Sequence, residues 1–141
     1  QNDPISQKKH RDNFLSAVKN GMYGDMYNKY VFNLQADELE NADRALSIAK
    51  EEIRNRPTPE AYGWMAWAQC RKGDLDSALQ TVDGYVANKC HEPGTLYYVG
   101  KIYLANGNKM MARKYLREAK ESSFELGPCA SADIERILAN L

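Results

Sequence analysis

His10 and His91 are the chain's two histidines, and they fall on different expected elements. Neither a paired-histidine metal spacing nor a local nucleophile, base and acid triad can be drawn around them. The densest group of ligand-type side chains is Cys90-His91-Glu92. Consecutive residues in a turn point in different directions, and no oxyanion donor or orienting carboxylate accompanies the thiol, so neither a metal site nor an activated nucleophile is expected there. Cys70, Cys90 and Cys129 form no C-x-x-C pair, and an odd number leaves at least one without an intrachain partner. They read as small hydrophobes rather than as a disulfide framework. Glycines occur singly at turns, without a phosphate-cradling loop. Glu51 and Glu52 read as a solvated helix face paired with Lys50, Arg54 or Arg56 rather than as an acid/base pair. No catalytic residue, metal or cofactor is expected, and the chain does not read as an enzyme.

Charge narrows the partners further. The 19 lysines and arginines equal the 19 aspartates and glutamates, so no overall field draws the molecule to nucleic acid or an anionic surface. A local basic bias at Lys109, Arg113, Lys114, Arg117 and Lys120 is interrupted by Glu118 and Glu121, and a nucleic-acid role is not built on it. The apolar run from Ala61 to Cys70 falls well short of the roughly 20 residues a membrane span requires. Residues 1–25 carry Lys8, Lys9, Arg11 and Lys19 without a continuous apolar stretch, so they do not read as a signal peptide. The chain opens on Gln1, which suggests processing or trimming. With 43% apolar and 27% charged residues in a chain of 141, one folded body is expected.

The elements that would position any site emerge when the sequence is slid against itself. At a shift of 34, Gly73 falls on Gly107, Ala78 on Ala112, Ala66 on Gly100, Met65 on Val99, Trp64 on Tyr98 and Val82 on Leu116. Within one unit, Pro59 suits a first helical position and Glu60 the positive end of the helix dipole. Tyr62, Met65, Ala66 and Gln69 recur at helical spacing until Gly73-Asp74 offers a left-handed cap. Asp74 opens a second helix with Leu75, Ala78, Leu79, Val82 and Val86 on its apolar face. The next unit repeats this through Leu96, Val99, Gly100 and Tyr103, a turn at Asn106-Gly107-Asn108, then Ala112, Tyr115, Leu116 and Ala119. A weaker copy places Tyr27, Val31 and Phe32 on one helix and Ala45, Ile48, Ala49 and Ile53 on another; its turn, 37–41, lacks glycine and looks one residue longer.

The stretches 61–68 with 73–79, and 96–103 with Gly107, Ala112 and Ala119, resemble the tetratricopeptide repeat family, strongly over 59–121 and loosely over 25–58. Residues 56–68 are also similar to the C-terminal repeats of bacterial, often exported, members. The resemblance implies an all-α fold, a right-handed solenoid of antiparallel helix pairs with about three repeats plus caps. The corresponding division is 1–24 (N-terminal helix or partial repeat), 25–58, 59–92, 93–127 and a capping helix at 128–141. Phe14, Leu15 and Val18 give residues 5–20 one apolar side, Gly21 and Gly24 mark a joint, and Ile134, Ile137, Leu138 and Leu141 line the final helix after Gly127-Pro128. Gln69, Tyr85 and Cys90 depart from the family pattern, so the second unit is expected to pack off the norm.

The resemblance also implies a non-catalytic scaffold whose first helices line a concave groove for a protein or peptide. Groove-facing candidates are Glu60, Gly63, Trp67 and Arg71, then Tyr97, Lys101 and Leu104, with Trp64 and Tyr98 beside them. Aromatic rings with arginine and lysine are residue types that dominate interface energetics. Trp64 and Tyr98 read more readily as core between repeats, and Trp67 and Tyr97 carry that alternative too. The family's carboxylate clamp is not expected, since Gly63, Trp64, Trp67 and Tyr98 occupy the corresponding places. A self-associating or structural segment of a longer solenoid is the alternative. The resemblance leans to an exported or periplasmic protein, while free thiols keep the cytoplasm open.

Overall fold

The computed structural model describes residues 3–19 and 28–141, and these are helical with no strand among them. Among the described residues eight helices follow one another: α1 (Pro4–Lys19), α2 (Asn28–Asn33), α3 (Ala42–Asn55), α4 (Pro59–Arg71), α5 (Leu75–Thr81), α6 (Pro93–Ala105), α7 (Lys109–Lys120) and α8 (Ser123–Asn140). Helix α2 continues as a π-helical turn over Leu34–Glu38, and α5 as another over Val82–Val86. Neighbours in sequence pack together, α3 on α4, α4 on α5 and α6 on α7. Alternate helices also touch, α4 against α6 and α6 against α8. Tyr27 and the Gly21 and Gly24 joint lie outside the described residues, as does the side chain of Val18.

Local sequence sets the helix ends. Thr58 caps α4 through its hydroxyl, which accepts from the Ala61 N–H at 3.2 Å, and Pro59 follows where no N–H is needed. The equivalent Glu92 caps α6 ahead of Pro93 by accepting from the N–H groups of Gly94 and Thr95, at 3.1 and 2.7 Å. Gly73 (φ 88°) and Gly107 (φ 79°) occupy like places, each turning the chain through the left-handed region. After them Asp74 and Asn108 accept from the N–H groups of Ser77 and Met111, at 3.2 and 3.1 Å.

The first copy uses the same turn with different residues. Glu40, at φ 51°, takes the glycine's conformation, and Asn41 caps α3 by accepting from the Arg44 N–H at 3.1 Å. The longer turn expected here is therefore a correction. The extra residue is absorbed upstream, where the Leu39 N–H reaches back to the Leu34 carbonyl at 2.9 Å in a π turn. In the second unit the π turn of Val82–Val86 leaves Tyr85 about half exposed, stacked on Tyr62 with centroids 4.1 Å apart.

Phe32, Ala45, Ile48, Ala49, Val82, Val99, Ile102, Leu116 and Ile134 form one continuous core. Ala66 and Ala78 are fully buried, as are Gly100 and Ala112. A Cβ on Gly100 would lie 2.6 Å from Leu116 Cγ, so the α6–α7 approach requires glycine. Tyr62, Met65, Gln69 and Ile53 are half-buried instead of central, because Ala61, Trp64, Trp67 and Ala68 fill the interior around α4. Glu52 is a further correction. Its side chain is 6% exposed and is satisfied by Arg56 at 2.7 Å and the Asn28 amide at 3.2 Å. At the C-terminal end, Gly127 (φ 79°) divides α8, and Ile134 and Ile137 bury the longer part against the core.

Candidate binding site

Lys29, Asn33 and Asp37 are spaced by four, so α2 and its π turn present them along one strip, and that strip meets α4 and α6. Beneath it the expected groove aromatics close on one another. Phe32 stacks on Trp64 with centroids 5.3 Å apart, and Trp67 stacks on Tyr98 at 5.0 Å and 10°. Their polar atoms end at the strip. The Trp67 indole N–H donates to Asp37 Oδ1 at 2.8 Å, and the Tyr98 hydroxyl lies 2.7 Å from Asn33 Oδ1 and 2.9 Å from Asp37 Oδ2. Burial, then the Asp37 charge, pushes the Tyr98 phenol far up, so it remains a donor. With 5, 4 and 6% exposure, Trp64, Trp67 and Tyr98 are interior side chains: Trp64 and Tyr98 take the core role open to them from sequence, and Trp67 departs from its groove-facing placement. Gly63 is buried too, because α4 and α6 meet there and a Cβ would lie 2.5 Å from Thr95 Cγ2.

The remaining candidates form the rim. The Tyr97 hydroxyl donates to Asp133 Oδ2 at 2.5 Å, joining α6 to α8. Lys101 Nζ stands 3.2 Å from that hydroxyl, 3.5 Å from Asp133, and 4.9 Å from the ring centroids of both Trp67 and Tyr97. Burial would raise the Asp133 carboxyl, but Tyr97, Arg136 and Lys101 outweigh it and hold the group below its ordinary value. Arg71 donates through Nε to the Ala36 carbonyl at 3.1 Å, approaches Glu40 at 3.4 Å, and lies 5.8 Å over the Trp67 ring. Leu104 is half-buried.

Glu60 and Glu92 come together through a residue that sequence reasoning did not single out. Lys29 Nζ bridges them, at 3.2 and 3.3 Å. Desolvation lowers the Lys29 pKa, yet the Glu92 and Glu60 charges more than reverse it. For Glu92, burial acts upward, and the Thr95 N–H and hydroxyl, Lys29 and the Gly94 N–H bring the carboxyl below its usual range. Asn33, Asp37 and Asp133 were also missed. The four-residue spacing of Lys29, Asn33 and Asp37 was the available signal, and nothing local pointed to Asp133.

Two cavities flank Lys29. One, of about 200 Å³, is lined by Asn33 and Asp37 of α2, Trp64 of α4, Glu92 and the first turns of α6 with Tyr97 and Tyr98, and Glu125, Leu126 and Ala130 of α8. The other, of about 290 Å³, lies among Glu52, Arg56, Thr58, Glu60, Ala61 and Trp64. Cys90 is buried beside Glu92 and Thr95, and that burial pushes its thiol up, while exposed His91 turns to Glu118 at 3.4 Å. Among the described residues no group of three or more histidines, cysteines or carboxylates is placed to hold a metal ion, and no helix is long and apolar enough to cross a membrane. In comparisons with known proteins, no family model, curated protein or solved structure matches the chain.

Proposed function

We propose that the chain is a non-catalytic binding module, a right-handed solenoid of helix pairs of the tetratricopeptide type, which holds a protein or peptide segment on the face shared by α2, α4, α6 and α8. One observation carries the reading: a single cavity draws its lining from all four of those helices, with half-buried and charged side chains at its edge. The matched turns at Gly73 and Gly107 support the repeat. Contact falls on the rim, on Tyr97, Lys101, Arg71, Glu60 and the α2 strip, since the central rings are already packed.

Panning a phage-displayed random peptide library on the full chain tests this. Selected peptides should shift backbone amides of α2, α4 and α6 in NMR titrations. Shifts confined to α3, α5 and α7 would place binding on the opposite side and overturn the assignment.

A further inference from the structure

The 200 Å³ cavity is smaller than the roughly 300–1,000 Å³ of small-molecule sites, which suits one long side chain better than a cofactor. Its edge is acidic. Asp37, Glu92 and Glu125 face a single ammonium, Lys29, already engaged by Glu60 and Glu92. Asp37 accepts from two neutral donors, the Trp67 N–H and the Tyr98 O–H, which satisfy geometry without neutralising charge. Among the described residues neither Asp37 nor Glu125 is ion-paired with a basic side chain.

The same face shows how it accommodates cations. Lys101 Nζ sits 4.9 Å from two ring centroids with Asp133 beside it, and the Arg71 guanidinium lies over Trp67 with Glu40 at hand. Lys101 and Arg71 are each held by a ring and a carboxylate. The cavity sets the Tyr97 ring, which Lys101 already approaches, beside Asp37 and Glu125, two carboxylates to which none of the face's cations is bound.

Building on the binding-module reading, we propose that this cavity receives an arginine or lysine side chain of the bound peptide, held by the carboxylates of Asp37 and Glu125 beside the Tyr97–Lys101 pair. Acidic segments are disfavoured by the same charges, so the cavity sets partner selectivity.

The probes are Gly-Ser peptides carrying one arginine, lysine, norleucine or glutamate, titrated into the full chain while the Gly94 and Thr95 amides and the Trp64 indole are followed by NMR. The arginine and lysine peptides should shift these signals saturably, and added salt should weaken the effect. Glu125→Lys should weaken arginine binding by about tenfold with Tm unchanged. Asp37→Asn, which keeps one acceptor for the Trp67 N–H while the Tyr98 hydroxyl can still donate to Asn33, provides a second reading. If norleucine or glutamate peptides move these signals equally well, or if no probe moves them while library-selected peptides bind elsewhere on the face, the proposal falls and the module stands. If the library also yields no binder, both fall.

Discussion

The centre and the rim of the binding face use similar residue types to opposite ends. At the centre, Trp64, Trp67 and Tyr98 spend their rings on packing between helices, and Trp67 and Tyr98 their polar atoms on Asn33 and Asp37. At the rim, Tyr97, Lys101 and Arg71 keep partial exposure and make charge-assisted contacts, the first two with each other and Asp133, Arg71 with Glu40. Aromatic residues on a first helix thus build the platform as readily as they touch a ligand, and burial decides which role each one has.

Replacing a central ring should break that division most visibly. Trp67→Ala removes a buried indole and orphans part of Asp37, so stability should fall by about 3–5 kcal/mol, read by urea denaturation. A variant within 1 kcal/mol of the parent would move Trp67 to the rim. Gly63→Ala should cost about 1–3 kcal/mol, because Thr95 is β-branched, buried and tied by its hydroxyl to Glu92 at 2.9 Å, and has little freedom to yield. Glu92→Ala should cost about 1 kcal/mol at neutral pH through loss of the α6 cap.

Acid titration sharpens that third expectation. The folded Glu92 carboxyl titrates below its ordinary 4.5, so its contribution is complete above that value and disappears as pH falls through the lower folded one. The parent and Glu92→Ala should therefore draw together in stability as pH falls below 4.5, converging only beneath the lowered folded value. Glu40→Gly should add about 0.5 kcal/mol, since glycine relieves a left-handed backbone while the exposed contact with Arg71 contributes little. The smallest change is expected for exposed Glu125→Lys, within about 0.5 kcal/mol in stability, leaving binding as its only readout.

The turns show how far local chemistry carries. Gly73-Asp74 and Gly107-Asn108 are readable because left-handed backbone and side-chain caps each favour a few residue types. Glu40 escaped because a residue without special turn preference occupies that conformation, and the π turn before it shifts the spacing by one. Glu52 escaped for a similar reason. A charged residue on a helix is read as solvated until Arg56 and Asn28 are seen to enclose it.

Helix positions, caps and the small residues at 66, 78, 100 and 112 followed from sequence alone, because backbone sterics and hydrophobic periodicity act over a few residues. That both tryptophans face inward, that Lys29 bridges two helices, and that Asp37 and Glu125 share a cavity rest on groups far apart in the chain. Only their packing brought those charges within each other's reach, since Coulomb interactions depend on separation in space and are indifferent to separation in sequence.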